Sequence, residues 1–177
     1  AEDREHFKEM MTKIGIPIPK SGTASDVDEA LIAAEKVVYP VMVRHSYMMG
    51  GRGMEIIHNM DEMEQYMLSA SGITPERPIL IDSFLSRASE CEIDAVCDGN
   101  LAYIPAVMEH IELAGIHSGD SACIIPAKYI PREKQDIIKE YTRKIAKELG
   151  VRGLMNVKYA IDGDTIYVID ANLRASR

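Results

Sequence analysis

The sequence predicts an α+β fold built from two lobes with antiparallel sheets. Segments with apolar residues at helical spacing alternate with short apolar or alternating runs that are typical of strands. Two pairs of these runs are joined by the turns Asp98-Gly-Asn100 and Asp162-Gly-Asp164, which favour hairpins and hence antiparallel pairing. A turn-rich stretch over residues 71–78 divides an N-terminal lobe, residues 1–72, from a C-terminal lobe, residues 73–177.

The N-terminal lobe is predicted to begin with two helices. The first has four apolar residues at helical spacing and ends at Gly15, ahead of two prolines. These residues are Phe7, Met10, Met11 and Ile14. The second helix follows Ser25 as N-cap. Its predicted buried positions are Val27, Ala30, Leu31, Ala34 and Val38.

Two strands and a third helix complete this lobe. Residues 40–44 and 54–57 have the short apolar pattern of buried strands, and the loop Gly50-Gly-Arg-Gly53 lies between them. Asn59 is the predicted N-cap of a helix over residues 61–69.

The C-terminal lobe is predicted to contain five strands and one long helix. The strands cover residues 79–82, 90–97, 101–109, 155–161 and 165–170. Pro131 opens the helix, which runs to Leu149, and Gly150 ends it. Its predicted buried face consists of Ile137, Ile138, Tyr141, Ile145 and Leu149.

Composition excludes several classes of function. The formal net charge of −8 disfavours nucleic-acid binding, which needs a basic surface. No apolar run approaches the roughly 20 residues that span a bilayer, and the charged first residues are unlike a signal peptide. Cys91 and Cys97 would lie about 20 Å apart on one strand face, too far for a disulfide, and Cys123 has no metal-type spacing to them. We therefore predict core-filling cysteines, a reducing compartment and a cytoplasmic location.

Neither end of the chain has the character of a natural terminus. It begins at Ala1 without Met and stops at Arg177, directly after a strand dense in polar residues. We therefore expect a larger polypeptide that continues the C-terminal lobe, and we expect this part alone to be inactive.

Three groups of polar residues are candidates for chemistry. The loop Gly50-Gly-Arg-Gly53 would let backbone N–H groups approach a phosphate, although such loops are often plain turns. Alternation along a strand places Glu90, Glu92 and Asp94 on one face, and we expect an exposed face for the last two. Asp170-Ala-Asn172 projects two oxygen donors from one strand face, which suits Mg²⁺ or Mn²⁺ on nucleotide phosphates but is also common turn chemistry.

Two further segments establish a family resemblance. The stretch Met108-Glu-His-Ile-Glu-Leu-Ala-Gly-Ile-His-Ser-Gly-Asp-Ser-Ala122 concentrates glutamates and histidines beside a predicted strand, and alone it is compatible with a polar loop. In Val168-Ile-Asp-Ala-Asn-Leu-Arg-Ala-Ser-Arg177, arginines follow the oxygen pair and supply positive charge for a transferring phosphoryl group. Together these segments resemble the second ATP-grasp unit of the carbamoyl phosphate synthetase large subunit. The resemblance runs over the whole chain.

The resemblance implies an ATP-grasp fold with a nucleotide cleft between the lobes, and it implies ATP with Mg²⁺ or Mn²⁺ as cofactors. It implies phosphate contacts for Arg4, Arg44, Gly50, Gly51, Arg52 and Gly53. It implies adenine, ribose and base contacts for Asp82, Ser83, Leu85, Glu90, Gly115, Ile116, His117 and Ser118. It implies metal binding by Asp170, Asn172 and the position of Lys158, and catalytic roles for Asn172, Arg174 and Arg177.

The chain departs from the family pattern at two of the implied metal positions. The family has glutamine where this chain has Lys158, and glutamate where it has Asp170. A unit charge about 4 Å from a divalent ion implies roughly 8 kcal/mol of repulsion at an effective dielectric of about 20. The lysine would therefore swing away, lose its proton, or replace a metal by contacting phosphate directly. Without metal we expect it to pair with Asp170.

The resemblance implies carbamate phosphorylation by ATP, with ATP and carbamate as substrates and a role in pyrimidine and arginine biosynthesis. It also implies two partners: the remainder of the large subunit and a glutaminase subunit or domain. Two alternatives stay open. One is a nucleotide-binding module without catalysis, and the other is a different carboxylate–amine ligase of the same fold.

Overall fold

The computed structural model describes residues 4–45, 54–70, 72–112 and 121–175, which form four helices and two antiparallel sheets. The predicted α+β class is confirmed. In chain order the elements are α1 (Arg4–Lys13), β1 (Ser21–Ala24), α2 (Val27–Val37), β2 (Val41–His45), β3 (Glu55–Ile57), α3 (Met60–Ser69), β4 (Ile79–Ser83), β5 (Ser89–Asp98), β6 (Ala102–Tyr103), β7 (Met108–His110), β8 (Cys123–Ile124), α4 (Arg132–Glu148), β9 (Arg152–Asp162) and β10 (Thr165–Asn172). None of the described helices is long and apolar enough to cross a membrane.

The chain divides into two compact units, Pro19–Phe84 and Ala1–Ile18 with Leu85–Arg177. This division differs from the predicted boundary between residues 72 and 73, because long-range packing decides it. Strand β4 pairs with β1 and β2, and so extends the first unit to Phe84. Helix α1 contributes Phe7, Met10 and Met11 to the core of the second unit.

The unit Pro19–Phe84 is a four-stranded antiparallel sheet, in the order β1-β4-β2-β3, packed with α2 and α3. Side chains cap both helices. Asn59 Oδ1 accepts the Glu62 backbone N–H at 2.9 Å, as predicted. The cap of α2 is one residue later than predicted: Asp26 Oδ1 accepts the Glu29 N–H at 2.8 Å, whereas Ser25 donates its own backbone N–H to Glu29 Oε2.

The larger sheet has the strand order β10-β9-β5-β7-β8, with β6 beside β5. One face packs into a core shared with α1 and α4. The buried residues of α4 are Ile138, Thr142, Ile145 and Ala146. The predicted burial of Ile137 and Leu149 was wrong. They lie off the buried face of α4 and are 39% and 38% exposed. The predicted burial of Val38 was also wrong, because this residue lies past the end of α2 with φ of 80° and is 58% exposed.

The strand predictions were wrong or incomplete where the strands are short or interrupted. The single strand predicted over residues 101–109 is two strands, β6 and β7, with Pro105 between them. Proline lacks the N–H that a ladder requires, which accounts for the break. β1 and β8 were not predicted, because four and two residues respectively leave little periodic pattern.

Candidate functional site

One face of the larger sheet collects polar side chains from four strands. On β5 the residues Cys91, Ile93, Ala95 and Cys97 lie in the core, so the alternate residues lie on the opposite face. Register then places Glu92 and Asp170 on either side of Lys158, and Asp94 and Asn172 on either side of Asn156. We call this surface the polar face. Its members are Glu90, Glu92, Asp94, His110, Asn156, Lys158, Asp170 and Asn172.

A register irregularity in β10 decides that Asp170 belongs to the polar face. Val168 pairs with Tyr159 and lies in the core, and simple alternation would direct residue 170 to the same side. The register shifts between Val168 and Asp170, so that Asp170 pairs with Lys158 and Ala171 enters the core instead. This bulge-like shift directs the side chains of Asp170 and Asn172 to the polar face.

Two carboxylates of the polar face are buried around a histidine. Glu90 is 7% exposed and Glu92 only 2%, so the expected exposed face was wrong for Glu92. His110 approaches both: Nε2 lies 3.4 Å from Glu92 Oε1, and Nδ1 lies 3.7 Å from Glu90 Oε2. His110 reaches both carboxylates because β7 pairs with β5. Asp94, also expected to be exposed, is half-buried and accepts a hydrogen bond from Asn156 Nδ2 at 3.0 Å.

Lys158 forms an ion pair with Glu90, whose Oε2 lies 2.6 Å from Lys158 Nζ. We expected the lysine to pair with Asp170, which faces it across β9 and β10. Asp170 instead accepts hydrogen bonds from Asn172 Nδ2 and from the Ala171 backbone N–H, each at 2.9 Å. The ammonium therefore extends toward β5, where two buried carboxylates attract it, rather than toward β10.

Asp170 and Asn172 carry oxygen atoms that suit a divalent cation, whereas Lys158 does not. Asn172 uses its amide nitrogen on Asp170, which orients the amide so that Oδ1 is the atom left for a ligand. Asp170 and Asn172 thus fit an ion that arrives with nucleotide phosphates as further ligands. Lys158 does not fit as a ligand, because an ammonium has no lone pair to donate. Among the described residues, no group of three or more His, Cys, Asp or Glu side chains could hold a metal.

A hydrogen-bonded clasp joins the two ends of the segment that contains Gly115, Ile116, His117 and Ser118. Those four predicted contacts lie outside the described residues. At the flanks, Glu112 Oε2 accepts from Ser121 Oγ at 2.6 Å and from the Ala122 backbone N–H at 2.7 Å. The hydrogen bond from Ser121 lowers the pKa of the Glu112 carboxyl below its usual value.

The unit Pro19–Phe84 holds two further predicted site residues, Arg44 for phosphate and Asp82 for adenine, which the structure brings together. Arg44 Nε lies 3.8 Å from Asp82 Oδ2 across the β2–β4 pair, where Asp82 is nearly buried. The backbone N–H of Ser83 donates to Lys20 O at 2.9 Å, so this N–H is already used within the protein. Any backbone contact from Ser83 to adenine would therefore have to come from its carbonyl group.

The remaining predicted residues divide between two groups. In unit Ala1–Ile18 with Leu85–Arg177, Leu85 accepts the Ala88 N–H at 3.0 Å, and exposed Arg174 donates Nη1 to Ala175 O at 2.9 Å. The side chain of Arg4, the loop Gly50, Gly51, Arg52 and Gly53, and Arg177 lie outside the described residues.

Sequence reasoning missed His110 and Asn156 as members of the polar face. Asn156 could have been predicted from the sequence, because Asn156 precedes Lys158 by two residues on one strand and must share its face. His110 was part of a conspicuous polar stretch, but only the pairing of β7 with β5 brings it to Glu90 and Glu92.

The family profile and the related proteins that match this chain carry the same description. A family profile described as "Carbamoyl-phosphate synthase L chain, ATP binding domain" matches residues 3–177. The chain is 52% identical over 179 residues to a carbamoyl phosphate synthase large chain of Methanothermobacter thermautotrophicus, covering 99% of this chain and 17% of that protein. It is 49% identical to the C-terminal section of the large chain of Methanocaldococcus jannaschii, covering 100% of this chain and 29% of that protein. The chain thus spans less than a third of these relatives.

Solved structures with the same fold are more distant in sequence. An ADP complex of N5-carboxyaminoimidazole ribonucleotide synthetase superposes with a TM-score of 0.78 at 19% identity, covering 98% of this chain and 45% of that one. A biotin carboxylase from Campylobacter jejuni in a β-γ-ATP complex also gives 0.78, at 18% identity, covering 98% of this chain and 40% of that one. These likenesses establish the ATP-grasp fold.

Proposed function

Because the chain belongs to the family of ATP-binding domains of the carbamoyl-phosphate synthase large chain, we propose that it binds ATP and, within a longer protein, phosphorylates carbamate to carbamoyl phosphate. The observation that supports this most directly is the polar face. It gathers carboxylate, amide, imidazole and ammonium groups on one largely buried surface, a concentration whose desolvation cost suggests a binding role.

In this proposal the residues of the chain bind and orient the nucleotide. Glu90 accepts hydrogen bonds from ribose hydroxyls, and the backbone around Asp82, Ser83 and Leu85 contacts adenine. Arg4, Arg44 and the loop Gly50-Gly-Arg-Gly53 contact the phosphates. The segment Gly115-Ile-His-Ser118 lies around base and sugar.

The proposed transfer is direct. The bond from the γ-phosphorus of ATP to the oxygen of ADP breaks as a bond to a carbamate oxygen forms, without a covalent enzyme intermediate. Arg174, Arg177 and Asn172 stabilise the negative charge on the moving phosphoryl group. Mg²⁺ or Mn²⁺, held by Asp170 and Asn172, would neutralise phosphate charge.

We also propose the setting in which this activity occurs. The rest of a large subunit would supply the segments that continue the site, and a glutaminase subunit or domain would supply ammonia. The free thiols of Cys91 and Cys97 fit a reducing, cytoplasmic location. We expect the 177-residue chain alone to make no carbamoyl phosphate.

A second candidate function is nucleotide binding without catalysis. The Lys158–Glu90 ion pair favours it, since an ammonium stands where the family supplies a metal ligand. Carbamate-stimulated release of ADP from the longer protein would support the catalytic proposal, and ATP binding without that release would support the second candidate. A product other than carbamoyl phosphate would indicate a different ligase of this fold.

Titration calorimetry of the chain with ATP and with 2′-deoxy-ATP tests nucleotide binding. We expect saturable binding of ATP and weaker binding of the deoxy analogue, because Glu90 loses one hydroxyl partner. Glu90→Gln should reduce this discrimination, and Glu133→Gln, on the exposed side of α4, is the matched control. Absence of saturable ATP binding to the folded chain contradicts the proposal.

A further inference from the structure

Lys158 occupies the centre of the polar face. On β9 it stands opposite Glu92 of β5 on one side and Asp170 of β10 on the other. Its Nζ is 2.6 Å from Glu90 Oε2, so three carboxylates flank it. Its backbone lies on β9, between the paired strands β5 and β10, and its position is therefore set by the sheet rather than by a loop.

A buried group of carboxylates needs a nearby positive charge, because like charges in a low dielectric repel strongly. Glu90, Glu92, Asp94 and Asp170 share this face, and a divalent ion or a fixed ammonium would each offset their charge. No cluster suited to a metal is found in the part of the chain that the structure describes. The carboxylates Glu90 and Glu92 lie instead around His110 and the ammonium of Lys158.

The ammonium retains capacity for a ligand. It has three N–H donors, and its contact with Glu90 engages one of them. The Lys158 side chain is 17% exposed, compared with 9% for Glu90 and 1% for His110. Lys158 is thus the member of this trio most accessible to solvent, where it could contact an anion while Glu90 fixes its position.

We propose that Lys158 is a built-in cation of the nucleotide site: it contacts the nucleotide phosphates directly and takes over the charge neutralisation of one divalent ion. This inference rests on the proposed function. Its consequence is that ATP binds this chain with little dependence on Mg²⁺. A lysine is a suitable residue for this purpose, because its compact charge contacts phosphate without a demanding geometry.

The test is ATP titration of the 177-residue chain in EDTA and in saturating Mg²⁺, with wild type, Lys158→Gln, Lys158→Arg and Lys144→Gln. Lys144 is a matched control, because it lies on α4 and pairs with Glu140 one turn away. In wild type and in the control, we expect the two dissociation constants to agree within about threefold. In Lys158→Gln, loss of a charged contact should weaken binding in EDTA by about tenfold or more. Mg²⁺ should restore most of that loss, and Lys158→Arg should behave like wild type.

A second measurement reports on the site without nucleotide. Calorimetry with Mn²⁺ alone should give weaker binding to wild type than to Lys158→Gln, because the ammonium opposite Asp170 repels a divalent ion and the glutamine amide does not. Circular dichroism confirms that each variant is folded. If Lys158→Gln does not fold, wild type decides: agreement within about threefold between EDTA and Mg²⁺ supports the proposal, and a tenfold or greater loss in EDTA overturns it.

The outcomes separate this inference from the proposed function. No saturable ATP binding under any condition contradicts the proposed function, and this inference with it. Tight ATP binding that requires Mg²⁺ equally in wild type and Lys158→Gln keeps the proposed function and overturns the role of Lys158.

Discussion

Asn156 donates its side-chain Nδ2 to Asp94 Oδ1 across the β5–β9 pair, at 3.0 Å. The same nitrogen lies 3.3 Å from Glu92 Oε2, so one amide separates two carboxylates on the polar face. Asn156 is 4% exposed, and solvent cannot substitute for it. The amide nitrogen, a donor without formal charge, therefore stabilises an otherwise repulsive arrangement.

Asn156→Asp should destabilise the chain strongly. The substitution replaces the donor by a buried carboxylate beside those of Glu92 and Asp94, and we expect the free energy of unfolding to fall by about 3 kcal/mol or more. Urea unfolding followed by circular dichroism measures the change. Asn100→Asp, at the exposed turn between β5 and β6, has the same chemistry and should change stability little. Equal effects of the two substitutions would refute this account.

The buried hydroxyl of Tyr159 has a defined partner. Thr142 Oγ1 donates its single hydrogen to Ile138 O at 2.8 Å, so Tyr159 must donate its own across the 2.7 Å contact to Thr142 Oγ1. Tyr159→Phe should reduce the free energy of unfolding by about 1 kcal/mol, measured by denaturant titration. Tyr103→Phe is the control, because Tyr103 is 69% exposed. An effect of the control as large as that of Tyr159→Phe would contradict the assignment.

The Glu112–Ser121 clasp gives a prediction about pH. The pKa of the Glu112 carboxyl is lowered below its usual value of 4.5, chiefly by the hydrogen bond from Ser121. Because the folded pKa is the lower one, Glu112 stabilises the fold above its unfolded pKa, and this contribution is lost as pH falls through the folded pKa. Ser121→Ala should raise the pKa of Glu112 toward the usual value, as measured by carboxyl ¹³C NMR titration. Ser69→Ala, at the end of α3, should leave it unchanged; a downward or absent shift in Ser121→Ala would refute the clasp.

The cysteines should differ in reactivity. Burial raises the pKa of the Cys91 thiol, and the carboxylates of Glu109, Glu92 and Glu90 raise it further, so the reactive thiolate is suppressed. Cys123 is only half-buried. Iodoacetamide labelling followed by peptide mass spectrometry should modify Cys123 first in the folded chain and Cys91 only after denaturation. Prompt labelling of Cys91 in the folded chain would be inconsistent with its position in the core.

Local patterns determined much of the secondary structure. Asn59 identified the start of α3, and the turn Asp162-Gly-Asp164 identified the β9–β10 hairpin, because capping and turn chemistry depend on neighbouring residues. The alternation of Glu90, Glu92 and Asp94 with core residues was also local, and it correctly put the three carboxylates on one face. Their burial was not local, since it depends on β7 and β9 pairing with β5.

By itself the sequence determined the α+β class, most element positions and the family resemblance. It also determined that a lysine, Lys158, stands where the family pattern has a metal-binding glutamine. Only the tertiary structure decided which carboxylate the lysine meets. Sequence spacing favoured Asp170, the cross-strand neighbour of Lys158. The ammonium instead forms an ion pair with Glu90, beside the contact between Glu92 of β5 and His110 of β7. Tertiary structure also decided the side of the sheet on which Asp170 lies. A register shift in β10 places Asp170 on the polar face, whereas simple alternation from Val168 would place it in the core. The physical reason is common to both: spacing along one strand fixes which residues share a face, whereas pairing between strands fixes which charges meet and which are removed from water.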